Sequence, residues 1–417
     1  MPHTYSARPL LGLLCLSALC LAAATSLAQS ANWPQFRGPL SNGSTPTASI
    51  PSAPAIVWSA PLPGRGISSP IVVDGKILLT ASSGPTQEKL HVLCFDAASG
   101  SLLWQRELRA TGRTMAHEKT AVAAPAPCSD GKRVFALWSC NDLVALDLDG
   151  NLLWTRGLTS DYPNVSNSLG MASSPLVVDN TLVAVVENDS ESYSLGIDAD
   201  TGLNLWKLER PKNANWTSPV LWKPTADANP VVLLQSSKGL LAVAPRTGSA
   251  LWSYDGGAST VSSSASAEGH GLVLVPSNGL TALRPAPNNA PPEQLWNARA
   301  LNPATVSPLV LGSRVLSTNN AGVLSCANLS TGEAQWKLRL TGPFSSSPVG
   351  AGSTLLIVSE KGLVQTADVS GSEGRLLGTL QLPLRAETKE LVLGTPALSG
   401  QRVFVRTEST LWCLGGS

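Results

Sequence analysis

The chain has 417 residues, 29 Lys and Arg against 28 Asp and Glu, a formal net charge of +1, and only 14% charged residues. A balance so close to zero, with no basic run, excludes a nucleic-acid surface and a polybasic membrane patch. Such a length normally divides into two or three domains, but no linker-like stretch interrupts the chain between Trp58 and Ser417, so a single domain is expected.

Residues 1–28 read as an export leader. Arg8 precedes an apolar run from Leu10 to Ala24, and Ser26-Leu27-Ala28 offers small residues at the cleavage positions. The run is shorter than the ~20 residues of a membrane span, so cleavage is expected over a retained anchor. Cys15 and Cys20 both follow Leu, where lipidation wants a small residue. The expected location is periplasmic or secreted, with no membrane span after cleavage. Residues 29–55 read as an extended N-terminal segment and residues 56–417 as the folded unit.

Within that unit Trp58, Trp104, Trp154, Trp206, Trp252, Trp296 and Trp336 stand 40 to 52 residues apart. Each closes a phrase of four short strands. In its first full copy the phrase opens Ser68-Ser69-Pro70, runs Ile71 to Val73, turns at Asp74-Gly75-Lys76 and returns over Ile77 to Thr80. Leu90 to Phe95 follows, then the turn Asp96 to Gly100, then Leu102 to Leu108 with Trp104. Openings recur at Ala124-Pro125, Ser173-Ser174-Pro175, Thr217-Ser218-Pro219, Ser263-Ser264-Ala265, Val306-Ser307-Pro308, Ser346-Ser347-Pro348 and Gly394-Thr395-Pro396. A period near 40 to 50 residues with four strands predicts a β-propeller.

The ends give the count. The opening at Thr395 leaves chain for only three strands, while Ile56 to Leu62 carries Trp58 with no strands before it. Pairing the two closes a ring without a free edge. The predicted fold is all-β: a single eight-bladed β-propeller of four-stranded antiparallel blades, its last blade closed by the N-terminal strand. In the seventh blade Leu377 takes the place of a Trp. The seven Trp residues recur at one position in the outer strand, so their reading is structural, docking one blade on the next, rather than a ligand-stacking platform.

Five cysteines follow the leader. Cys94, Cys326 and Cys413 share a third-strand slot with Ala145, Gly196, Ala242 and Ala282, where a small apolar filler is wanted. Cys128 and Cys140 flank a hairpin whose turn at Asp130-Gly131 sets Cys128 opposite a residue near Val134, so register opposes a local disulfide.

Asn32-Trp33-Pro34-Gln35-Phe36-Arg37-Gly38-Pro39, Pro61-Leu62-Pro63-Gly64-Arg65-Gly66 and the recurring turn that ends Thr/Ser-Gly-x-x-x-Trp carry a resemblance. The sequence resembles the secreted bacterial PQQ-like (quinoprotein-like) propeller family over nearly all of its length after the leader. The resemblance implies an eight-bladed ring whose Trp residues dock neighbouring blades. It is more distantly similar to the outer-membrane assembly lipoprotein BamB, which implies a protein-binding scaffold. The related dehydrogenases carry an adjacent Cys-Cys pair, a calcium held by Glu, Asn and Asp, and a catalytic Asp. This chain has no Cys-Cys pair and no long insertions, so no cofactor is expected, with PQQ and calcium as the alternative.

The residues themselves support no catalytic set and no metal site. His3, His91, His117 and His270 make no short ligand spacing, and no G-x-S-x-G elbow is present. Glu187-Asn188-Asp189-Ser190-Glu191 is the densest acidic loop and reads as a solvated hairpin, with calcium as its functional alternative. A ligand is expected on the face where inter-blade loops funnel into the central channel. Candidates there are Arg65, His117, Glu118, Lys119, Asn167, Trp216 and Phe344, with Arg65 and Lys119 foremost because cations at a channel mouth focus anionic groups. The functional expectation is an exported, monomeric envelope propeller that binds a protein or small ligand through its funnel face. The alternatives are a PQQ-dependent oxidoreductase and a carbohydrate-active enzyme.

Overall fold

The structure, a computed structural model, describes residues 32–166, 169–225, 227–267, 269–385 and 390–416, with residues 1 and 3. The leader and Asn167 lie outside the described residues, as does part of the loop after Leu384. Among the described residues thirty-two strands form eight four-stranded antiparallel sheets. In the first blade Ile71–Val73 lies innermost, followed by Lys76–Ser83, Lys89–Asp96 and the outer strand Leu102–Arg109. The last blade takes Ala397–Ser399, Arg402–Arg406 and Thr410–Gly416 from the C-terminus and Pro54–Pro61 from the N-terminus. Trp58 therefore sits in the last blade, opposite Cys413.

Strand composition explains the layering. Inner and middle strands bury nearly every residue, because each is covered on both faces by neighbouring blades, and they read as continuous runs such as Leu-Val-Ala-Val-Val. Outer strands alternate and expose Leu103, Leu153, Leu205 and Leu376. The core thus lies between blades. Ile71, Leu78 and Val92 of the first blade pack with Val134, Ala136 and Val144 of the second.

Pairing places every Trp of the ladder against the small third-strand slot: Cys94 with Trp104, Ala145 with Trp154, Gly196 with Trp206, Ala242 with Trp252, Ala282 with Trp296 and Cys326 with Trp336. Each ring reaches the next blade. Gly100, Gly150, Gly202, Gly248 and Gly332, all at positive φ, lie so close beneath the preceding blade's ring that a Cβ would come within 2.6–2.8 Å of it. Four rungs add a hydrogen bond from the indole N–H to the same turn, from Trp104 to Leu148 O, Trp154 to Ala199 O, Trp206 to Pro245 O and Trp296 to Leu329 O, at 2.7–3.0 Å.

Three assignments move. In the seventh blade Thr366 pairs with Gly378, so Gly378, and not Leu377, holds the position of the Trp. The backbone at Ser52 and Ala53 occupies the vacated volume: a Cβ on Gly378 would meet Ser52 O at 2.4 Å, and Thr366 donates to that oxygen. Second, Cys128 pairs with Phe135, which aligns the second opening at Ala126-Pro127 rather than Ala124-Pro125. Third, Ala265 pairs with Leu274, which makes the fifth opening Ser262-Ser263-Ser264. Cys128 and Cys140 are each buried as free thiols.

The N-terminal segment does more than lead into the ring. Trp33 exchanges backbone bonds with Val72, Pro34 O accepts from Ser129 N, Leu40 O accepts from the Ser266 hydroxyl, and Gly43 O accepts from Gly350 N. These partners belong to the inner strands of blades 1, 2, 5 and 7, so residues 33–43 cross the channel and stop it like a plug. Trp33 and Arg37 are among the largest fully buried side chains.

Candidate functional site

Above the plug the channel is a blind cup of about 530 Å³, open on the funnel face and floored by Phe36. Its wall is built from the strand openings. The hydroxyl of each opening accepts the N–H of the same position one blade earlier: Ala126 N donates to Ser174 Oγ, Ser174 N to Ser218 Oγ, Ser218 N to Ser263 Oγ and Ser263 N to Ser307 Oγ. Ser307 N donates to Ser347 Oγ, Ser347 N to Thr395 Oγ1 and Thr395 N to Ser69 Oγ. These seven bonds span 2.8–3.1 Å and break only at Ala126, which has no hydroxyl. There Ile67 N and Ser68 N bond Ala123 O instead.

Accepting a backbone N–H uses a lone pair and leaves each O–H free to donate. All seven hydroxyl residues line the cup. The recurring Ser-Pro opening was visible in the sequence, but its repetition around a closed ring, which turns a strand-start signal into a circle of donors, was not.

Loops tie the mouth together. His117 N bonds Leu169 O, the Trp216 indole N–H bonds Gly170 O at 2.9 Å, and Met171 N bonds the Ser139 hydroxyl. Leu169, Val261 and nearby Met115 are exposed there despite their size.

The structure separates the candidate residues. His117, Lys119 and Trp216 line the cup. Arg65 stands outside it, ion-paired to Glu408 and reaching Glu118 O at 3.4 Å, and Glu118 likewise is not on the wall. Phe344 is buried in the core between blades 6 and 7, where its carbonyl accepts from Thr305, so it packs rather than faces a ligand. Phe36 and the hydroxyl ring are wall residues that sequence reasoning did not reach.

The acidic loop departs from a solvated hairpin. Glu187 and Asn188 are buried. Glu187 pairs with Arg210 at 2.5 Å and accepts from Asn215, Asp189 accepts from Ala214 N, and Glu191 accepts from Asn164 N. Desolvation pushes the Glu187 carboxyl up, against the opposing pull of Arg210 and Asn215. Among the described residues no group of three or more His, Cys, Asp or Glu is placed to hold a metal.

A calcium-bound quinone can be tested against the cup. Calcium takes six to eight oxygens, usually with carboxylates among them. The cup's described wall carries hydroxyls, apolar side chains, His117 and Lys119, and no Asp or Glu. The donor set does not fit that pair.

Comparison with known proteins agrees with this architecture. The family described as outer membrane protein assembly factor BamB matches residues 47–215, 195–289 and 286–410. BamB from Moranella endobia and BamB from Yersinia pestis are each 24% identical, over 209 and 210 residues, 40% of this chain in both cases. The chain spans about half the length of these relatives, 50% and 49%. Among solved structures, quinohemoprotein alcohol dehydrogenase from Comamonas testosteroni superposes with a TM-score of 0.69 at 13% identity, over 92% of this chain and 80% of that one. BamB from Moraxella catarrhalis superposes with a TM-score of 0.58 at 15% identity, over 87% and 98%. At such identities these likenesses show the shared propeller fold. With the family match running through nearly all of the ring, the chain belongs to the PQQ-like propeller family described as outer membrane protein assembly factor BamB.

Proposed function

We propose that this protein is an exported binding scaffold of the bacterial envelope that engages a partner protein through its funnel face. The observation that carries this reading is the cup mouth, where Leu169 and Val261 are exposed and Trp216 is half-buried, while the opposite end of the channel is stopped by the protein's own segment. Exposed large apolar groups gathered around a concavity mark interaction sites. The cup's described wall contributes no carboxylate to act with His117, so the arrangement favours binding over acid-base chemistry. Membership in the BamB family supports a scaffold role, and the leader-like residues 1–28 support export. Among the described residues no helix is long and apolar enough to cross a membrane.

Photo-crosslinking tests the face. A crosslinker at Val261 or Lys119 is expected to give a discrete protein adduct in envelope preparations, and one at Lys132 or Ser353, in hairpin turns at the other end of the blades, is expected to give none. Adducts from the turns alone would overturn the reading.

A further inference from the structure

The cup and the plug beneath it combine two features that a purely apolar docking pocket would not need. The first is the ring of seven hydroxyls whose O–H groups meet no acceptor among the described residues. The second is buried positive charge. Arg37 rises from the plug and donates to Ser264 O at 2.8 Å and to Pro308 O, the carbonyls that immediately follow ring members Ser263 and Ser307. Its Nε has no partner, it makes no ion pair among the described residues, and burial lowers its pKa only to about 9, so it stays charged at neutral pH. On the far side Arg406 is equally buried beside Ser68, but the carboxylate of Glu408 acts on it.

A guanidinium buried against carbonyls alone is costly and is most naturally offset by an anion. Aligned hydroxyl donors supply the hydrogen bonds such an anion needs. Resting on the reading of the funnel face as the binding face, we propose that the cup holds the carboxylate or phosphate head of a small single-chain amphiphile. The head sits on the arc of Ser263, Ser307 and Ser347 above Arg37. The apolar body rises between Val261 and Leu393, which stand two residues before Ser263 and Thr395 and flank that arc. A cup of about 530 Å³ is in the range of small-molecule sites.

Calorimetry on the full chain tests this with octanoate, octyl phosphate, octanol and inorganic phosphate. Octanoate or octyl phosphate is expected to bind at least ~10-fold more tightly than octanol, which has the same body without charge, and more tightly than inorganic phosphate, which has charge without a body. The stronger of the two octyl anions tells a carboxylate ligand from a phosphate one. The double variant Ser263→Ala/Ser307→Ala is expected to weaken that binding at least ~10-fold. Ser174→Ala/Ser218→Ala removes equivalent hydroxyls and equivalent backbone bonds on an arc away from Arg37, and is expected to leave binding within about 2-fold. Octanol binding as well as octanoate, or the two double variants behaving alike, would overturn the anion site. Either result would leave the funnel-face scaffold standing, because the crosslinking pattern reports on that separately.

Discussion

Gly196→Ala is a one-carbon change whose effect is set by a single ring. Gly196 occupies the third-strand slot beneath Trp206, and a Cβ there would lie 2.1 Å from the indole Cε2 and Nε1. The other blades that carry a ladder Trp hold Ala or Cys in this slot, so the indole of the third blade alone has settled onto the bare backbone, and an added methyl must push it off. Displacement strains the ring against Gly248 and lengthens its 2.7 Å bond to Pro245 O. Overpacking of this kind costs about 2 kcal/mol. Trp206→Ala, at a side chain only 8% exposed, costs about 4 kcal/mol through lost burial and the cavity left behind. With the indole gone the methyl has space, so the double variant is expected near the Trp206→Ala value, a coupling of about 2 kcal/mol between the sites. Urea titrations followed by far-UV circular dichroism measure all four corners of the cycle without relying on tryptophan emission. Additivity within about 0.5 kcal/mol would refute the account of this rung.

Restoring the missing rung is expected to harm the protein: Gly378→Trp drives an indole into the backbone at Ser52 and Ala53, and should lower the urea midpoint and loosen the N-terminal strand to proteolysis. Burial pushes the thiols of Cys94, Cys326 and Cys413 up, to about 12, 11 and 11, and those of Cys128 and Cys140 further up, so Ellman's reagent should label none of the five in the native protein and all five in urea. Desolvation raises the Glu390 carboxyl, but hydrogen bonds from Thr407, Ser409 and Arg385 N outweigh it and hold the pKa below the usual value. A depressed folded-state pKa gives stability that is present above the unfolded value of about 4.3 and is lost as pH falls through the folded one. Glu390→Gln should therefore be destabilising at pH 6, with the deficit shrinking as the pH drops below about 4, and a constant deficit would contradict the assignment.

How much of this was legible depended on whether a residue's role is local or is closed by the ring. The Trp spacing, the turn glycines and the small third-strand slot are repeated locally, and the slot residues fall in register through seven blades. In the seventh blade Gly378 and not Leu377 stands at the Trp position, because the pairing of Thr366 with Gly378 follows a β-bulge that shifts the register. Phe344 reads in the sequence as a funnel-face candidate in an inter-blade stretch. Its burial comes from a neighbouring blade, which local sequence does not report.

The plug shows the limit most clearly and fixes what the cup can be. Asn32 to Gly38 stands out as a signature, yet nothing in its composition says that its partners lie in inner strands from both halves of the ring. A segment without strands of its own must still satisfy its backbone groups, and inside a channel whose inner strands present an unpaired edge it can do so by pairing with Val72 and Gly350. Crossing the channel this way carries Arg37 below the hydroxyl ring. Arg37 is then both a tie between blades 5 and 6 and a buried positive charge beneath a cup whose wall carries Lys119. Arg37→Met removes that charge and both ties while keeping much of the packing. Loss of the ties to Ser264 O and Pro308 O leaves buried carbonyls unsatisfied and lowers stability by about 2–4 kcal/mol. A midpoint unchanged in urea would mean that the plug is held by its backbone pairing alone.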